Sequence, residues 1–417
     1  MAVFVPFVLP GEKVEATTQQ EKPGFARGTV DQLIEVSPDR VEARCPYFRR
    51  CGGCHYQHIR YEEQLAFKAG ILRETLQRTA RINLQTEIRL HASPPWNYRN
   101  RMRLQVRTAP EFTLGYFRFA SHEILSVQEC PISSPLLNRA LTRLIELRGL
   151  QCPTTIEEIE LFANAEDEQL LLSAFCRAGA DNENLLRWAE FLEREMPEII
   201  GVTFFSSRRP SAREPSDDDA PMNPKPLAQS GTRATRYRTR AHEYLVSAGS
   251  FFQVNRFLID DMVSVVTSDV SGDVALDLYA GVGLFSAALA PHFRHMVGVE
   301  ASLTSHADFV QNVPASVRAV SARTEGYLKS NDPRSRPVRG KPDLIVLDPP
   351  RAGAGKAVIR SLLDLGAPCI RYVSCDPATL ARDIAPLIAA GYKIEQAHLF
   401  DLFPETFHIE SVMLLAR

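Results

Sequence analysis

From about residue 246 onward, short apolar runs alternate with helical patterns, and this alternation constrains the fold more than any other feature of the chain. "VALDLYAGVGLFSAALA" (274–290) reads as a strand, a turn at Gly281 and Gly283, and a helix. "HMVGVE" follows as a second apolar strand ending at Glu300. "DLIVLDPPRAG" (343–353) holds a third, Leu344–Leu347, ending at Asp348. In "YVSCDPATLARDI" (372–384) the end of a fourth strand gives way to a helix after Cys375. Strands that alternate with helices pair in parallel, so the expected class is α/β with an open, doubly wound, Rossmann-like sheet. The carboxyl ends of its strands share one edge, where ligands bind. The glycine turn, Glu300, Asp348 and Cys375 are all predicted on that edge.

Each of these features carries a chemistry of its own. The glycine turn lets a ligand approach backbone N–H groups at a helix N-terminus. Glu300 lies 19 residues beyond Gly281, where an acid accepts hydrogen bonds from ribose hydroxyls. The pair suits a dinucleotide or S-adenosylmethionine. Ser286 stands where the dinucleotide fingerprint has its third glycine, which tilts the reading away from NAD. Asp348-Pro349-Pro350 removes two N–H groups and leaves carbonyls to face a planar polar group, a feature of methyltransferases acting on nucleobases. The alternative is a rigid turn with Asp348 as a helix cap. Asp376 is a good N-cap, Pro377 falls at the first helical position, and Leu380, Ile384, Leu387 and Ile388 repeat at helical spacing until Gly391. Cys375 is therefore expected beside the positive end of a helix dipole, which lowers a thiol pKa and favours the nucleophilic thiolate. A buried structural cysteine is the other reading.

The N-terminal half has a different character. Residues 1–43 suit short strands, with turn signals at "LPGEK" and "SPDR"; 61–82 reads as an amphipathic helix through Leu65, Ala69, Leu72 and Leu76. Antiparallel strands are expected over 98–127, and helices over 135–148 and 181–196. Residues 206–226, dense in Pro, Ser and charge, read as a loop or disordered insertion. Three domains follow: 1–43, 44–245 and 246–417, within what 417 residues can build. The chain shows no secretory pattern at its start and no apolar run of membrane-spanning length, so a soluble, cytoplasmic monomer without membrane contact is expected. Residues 44–139 carry 15 Lys+Arg against 7 Asp+Glu inside a chain whose net charge is −2. That asymmetry suggests a phosphate-contacting surface, with Arg99 and Arg101 expected among its contacts; a merely solvated basic face is the alternative. Cys45, Cys51 and Cys54, with Cys130 more distant, provide four soft ligands, and Gly52-Gly53 lets the backbone fold tightly around them. Tetrahedral thiolates suit zinc or an iron–sulfur cluster, and spacing does not choose between them. Cys152, Cys176 and Cys369 have no such setting and read as core.

Together, "DLYAGVGLFS", "LDPPRAG", "VSCDPATLARD" and "DLFPETFHIE" resemble the RNA uracil-5-methyltransferase family, whose members make 5-methyluridine in ribosomal and transfer RNA. The likeness continues upstream through "GSFFQVN" (249–255), "YRNRMR" (98–103), "CPISSPLLN" (130–138) and "CPYFRRCGGCHYQH" (45–58). The resemblance implies that Cys375 is the nucleophile and Glu410 of "HIE" the proton-abstracting base. It implies that Gln253, Tyr279, Glu300 and Asp348 contact S-adenosylmethionine, and that Cys45, Cys51, Cys54 and Cys130 hold a [4Fe–4S] cluster. It further implies an antiparallel final strand that brings Glu410 to the edge carrying Cys375; without the resemblance, Glu410 reads as a surface glutamate in a salt bridge. Ala280 departs from the cysteine common in relatives, at a position with no catalytic part. Residues 1–43 resemble the latter part of the OB-like (TRAM) RNA-binding module, with its opening strands missing, so the gene's translation start is expected upstream or the module is incomplete. The expected substrate is 23S ribosomal RNA, with transfer RNA as the alternative. A non-catalytic RNA-binding or assembly factor keeping a methyltransferase fold is the reading from another class; intact Cys375 and Glu410 weigh against it.

Overall fold

The computed structural model describes residues 1–207, 226–330 and 341–417. The parallel sheet is present, with strand order 317–321, 293–300, 272–278, 344–347, 369–374, 410–416, 393–400 and 88–91 among the described residues. Its first five strands run parallel, and Glu410–Ala416 is antiparallel to both neighbours, as expected. The strands are apolar without alternation because both faces are buried. Leu276, Leu278, Val297, Ile345, Leu347, Ile370 and Tyr372 point to one core, while Ala275, Met296, Leu344, Val346 and Val373 point to the other.

The first face is covered by Gly355–Leu365, Pro377–Ala389 and, from far upstream, the helix Tyr61–Ala80. Leu72 and Leu76 of that helix are fully buried in the catalytic-sheet core. Each such side chain contributes roughly 1.5–3 kcal/mol, so the helix is held firmly on the sheet. Directly after it, Ile88–His91 adds to the sheet as a parallel edge strand on Lys393–Phe400. Periodicity reveals which face of 61–80 is apolar; it is silent on what that face packs against.

A second sheet has the order 226–231, 199–206, 170–176, 156–163, 101–107, 113–117 and 124–126, with the expected antiparallel strands of 98–127 at one end. The helices Pro135–Glu146 and Asn182–Glu195 cover one of its faces. Most of the insertion expected at 206–226 lies outside the described residues. Its two flanks, Ile199–Ser206 and Pro226–Gly231, pair antiparallel at the sheet's edge. Near the N-terminus, Lys13–Lys22 and Phe25–Glu35 form a hairpin, extended by Ala2–Phe4 alongside the second strand. These two strands are long, not short: "LPGEK" and "SPDR" mark the hairpin's outer ends, and the turn between them falls at Pro23-Gly24.

Candidate active site

Register places the expected edge residues side by side. Leu278 pairs with both Val299 and Leu347, and Leu347 with Tyr372. Tyr279, Glu300, Asp348 and Cys375 therefore leave the ends of four adjacent strands. Tyr279 adopts a left-handed φ of 67°, uncommon for a residue with a side chain, as the chain turns sharply into Gly281. Gly283 has φ 88°, and a Cβ there would lie 2.5 Å from the Phe309 ring, so the turn requires glycine. Glu300 accepts from Gly281 N (2.8 Å) and Ser302 N (2.6 Å), which ties the acid to the glycine turn. The Ser286 hydroxyl donates to the buried Asp277 carboxyl (2.6 Å), whose pKa burial pushes up to about 7. Serine at the third fingerprint position thus bonds one oxygen of an internal acid.

Cys375 follows the strand Cys369–Ser374, and Asp376 caps the next helix by accepting from Thr379 N (2.8 Å) with Pro377 at its start. Ser374 pairs with Ser411 in antiparallel register, so Cys375 and Glu410, the next residues outward, stand opposite each other. Glu410 is 5% exposed, not a surface glutamate. The expectation of a lowered Cys375 pKa is overturned. Burial pushes the thiol up to about 12, and the Glu410 and Asp348 carboxylates add to the rise. The Arg351 guanidinium opposes them without prevailing. Burial and then Asp348 raise Glu410 well above the usual carboxylate range, while burial and Glu300 raise Asp348 to about 7. Burial and neighbouring acids thus raise the proton affinity of this edge; a cation bound among its carboxylates would favour proton release.

Gln253 is buried. Its carbonyl accepts from Asn100 Nδ2 (2.9 Å), and it shares no hydrogen bond with Tyr279, Glu300 or Asp348 among the described residues. Arg351, which follows the two prolines, donates to His408 Nδ1 (2.7 Å) and so links the Asp348 turn to the segment before Glu410. The sequence reading missed this bond, although "DPPR" and "FHIE" each carry one of its partners.

Cys45, Cys51, Cys54 and Cys130 line a single cavity of about 340 Å³. Burial raises Cys51 to about 11 and Cys54 further, and Cys130 adds to the rise at Cys45, Cys51 and Cys54. No set of three or more His, Cys, Asp or Glu side chains stands ready to hold a metal ion among the described residues. Arg99 and Arg101, expected to contact phosphate, line this same cavity. Arg101 pairs with Glu160 (3.3 Å) and donates to Ser250 O (3.0 Å), while Arg99 Nε is buried without a partner among the described residues. Counting charge along a segment does not reveal which arginines turn inward. No described helix is long and apolar enough to cross a membrane.

A family described as tRNA (Uracil-5-)-methyltransferase matches residues 340–417. Over its whole length the chain is similar to the 23S rRNA (uracil(1939)-C(5))-methyltransferase RlmD of Halomonas elongata, at 31% identity covering 99% of this chain and 84% of the relative. The protein of the same description from Chromohalobacter salexigens is also 31% identical, over 100% and 84% of the two chains. Among solved structures, the tRNA (uracil-54, C5)-methyltransferase of Pyrococcus abyssi in complex with S-adenosyl-L-homocysteine is similar with a TM-score of 0.74. That match has 25% identity and covers 100% of this chain and 95% of the other.

Proposed function

The chain belongs to the RNA uracil-5-methyltransferase family, and on that premise we propose that it transfers a methyl group from S-adenosylmethionine to C5 of a uridine in 23S ribosomal RNA. The observation that carries this reading is Cys375 facing Glu410 at the sheet edge, with Asp348 beside them. Uracil C5 is too weak a nucleophile to take a methyl group unaided. Addition of the Cys375 thiolate to C6 breaks the C5–C6 double bond and leaves an enolate with carbanion character at C5. That carbon takes the methyl from the sulfonium. Glu410 then removes the C5 proton, the electron pair restores the double bond, and the thiolate leaves C6. A raised pKa suits Glu410 to this step, because once deprotonated it is a stronger base than an ordinary carboxylate. The positive sulfonium is the chemistry S-adenosylmethionine supplies to the acids at this edge. Gln253, Tyr279, Glu300 and Asp348 are assigned to hold it.

Cys45, Cys51, Cys54 and Cys130 are assigned a [4Fe–4S] cluster. The fit rests on four thiols sharing one cavity and on the buried, unpartnered Arg99 Nε in its wall, a cation suited to the negative charge of a thiolate-bound cluster. Methyl transfer needs no electron, so the cluster's part is to hold the 44–245 region together. The three strands of 1–43 are read as an OB-like RNA-binding segment, and the protein as a cytoplasmic monomer.

The test is methyl incorporation from labelled S-adenosylmethionine into unmodified 23S ribosomal RNA and transfer RNA, mapped by mass spectrometry. 5-Methyluridine at one position of 23S ribosomal RNA is the expected result. Incorporation into transfer RNA alone would overturn the substrate assignment. No incorporation into either, with tight RNA binding, would favour an assembly factor.

A further inference from the structure

Glu410 is the first residue of its strand, so its position depends on Asp401–Ile409, the segment that delivers the chain from Phe400. That segment has no helix or strand of its own, yet buried polar groups from elsewhere hold its first half, Asp401–Glu405. Lys68 Nζ donates to Asp401 Oδ1 (2.6 Å) and Phe403 O (3.0 Å), and both charged side chains are fully buried. Gln64, one helical turn earlier and also fully buried, accepts from Glu405 N (3.0 Å) and donates to Glu405 Oε2 (3.1 Å). Glu405 sits at a left-handed φ of 66°, and its carbonyl accepts from both His55 N and Tyr56 N (2.9 Å each). The Tyr98 hydroxyl donates to Pro404 O (3.1 Å).

Stability alone does not account for these groups. A buried ion pair loses hydration on both sides, and well-packed apolar residues in its place are often neutral or stabilising. A left-handed non-glycine residue adds strain that its surroundings must override. What the arrangement does provide is position. Gln64 and Lys68 stand on the helix Tyr61–Ala80, which Leu72 and Leu76 anchor to the catalytic sheet, so the segment is referenced to a rigid element. Proton transfer in turn demands tight placement of the base against the proton it removes.

We propose that Lys68 and Gln64 are positioning residues for proton removal: acting through Asp401, Phe403 and Glu405, they set where Glu410 stands relative to the C5 proton of the RNA adduct. The inference rests on Glu410 being the base. Its test uses the full-length protein and RNA carrying [5-²H]uridine at the target. Lys68→Met/Asp401→Asn removes the ion pair without leaving either of its partners as a lone buried charge, and Gln64→Leu removes the second clamp. Tyr98→Phe removes one hydroxyl bond to the same segment at nearly constant volume and reports on it should the others fail to fold. In each folded variant kcat falls, about tenfold for the first two, while KM for RNA changes less than about twofold. The deuterium isotope effect on kcat rises and the covalent protein–RNA complex accumulates, because proton removal has become the slow step. A purely structural loss would lower the active fraction and leave the isotope effect unchanged. That result in the folded variants, while Glu410→Gln does accumulate the complex, would overturn the clamp and spare the base. If Glu410→Gln itself neither accumulates the complex nor raises the isotope effect, the base assignment falls and the clamp with it.

Discussion

Cys375 and Glu410 face each other one residue beyond the Ser374–Ser411 register pair, and Glu410 raises the proton affinity of the thiol that it faces. On the proposed mechanism, a nucleophile and an acid so placed serve two successive steps at neighbouring carbons of one ring.

Trapping separates those steps. RNA with 5-fluorouridine at the target should be methylated and then stall, since Glu410 cannot remove fluorine as it would a proton. The adduct should survive denaturing electrophoresis. Cys375→Ser should form none, because a hydroxyl without an activating base is a far poorer nucleophile. Glu410→Gln should lose about 10²- to 10⁴-fold in turnover while still forming a methylated complex with ordinary uridine RNA. Normal methylation by Cys375→Ser would remove the thiol from the mechanism.

Asp277 makes a pH prediction. Its folded pKa of about 7 lies above the ordinary carboxylate value, so the native state binds its proton more tightly than the unfolded chain does. The stability this contributes is complete below about pH 4 and is lost as pH rises through 7. His58, His398 and His408, pushed down to about 4 by burial, act in the opposite direction over the same range. The informative quantity is therefore a difference. Asp277→Asn should gain Tm relative to the parent progressively from pH 5 to 8 in the ligand-free protein. A constant offset across that range would mean that Asp277 is ionised throughout in the native state.

Much of this site was legible in the sequence because parallel strands buried on both faces are continuous apolar runs, and each run ends visibly, at Tyr279, Glu300, Asp348 and Cys375. The direction of the Cys375 pKa was not legible. Local sequence displays the helix start, whereas the burial that raises the thiol, and the acids that add to it, come from other strands. The 61–80 helix was legible as amphipathic, but not as a wall of the catalytic sheet. Gln64 and Lys68 were the available sign, since they share the stripe of Leu72 and Leu76 at four-residue spacing, where a polar pair must find buried partners.

The cysteine cavity can be tested without any assay of methyl transfer. Anaerobically purified protein should contain iron and acid-labile sulfide and be brown. Cys51→Ser and Cys54→Ser should each lose the colour and lower Tm, because four ligands become three and the cavity they line collapses. A colourless protein carrying stoichiometric zinc would overturn the cluster.

Arg99 separates two roles that look alike in a charge count. If its guanidinium balances a cluster in the cavity it lines, Arg99→Met should release iron to a chelator several times faster than the parent does. RNA affinity should keep its dependence on salt, because no phosphate contact has been removed. If Arg99 instead reaches phosphate, the slope of log affinity against log salt should shrink by about one while iron retention stays unchanged. The buried Nε without a partner and the neighbouring thiols favour the first outcome.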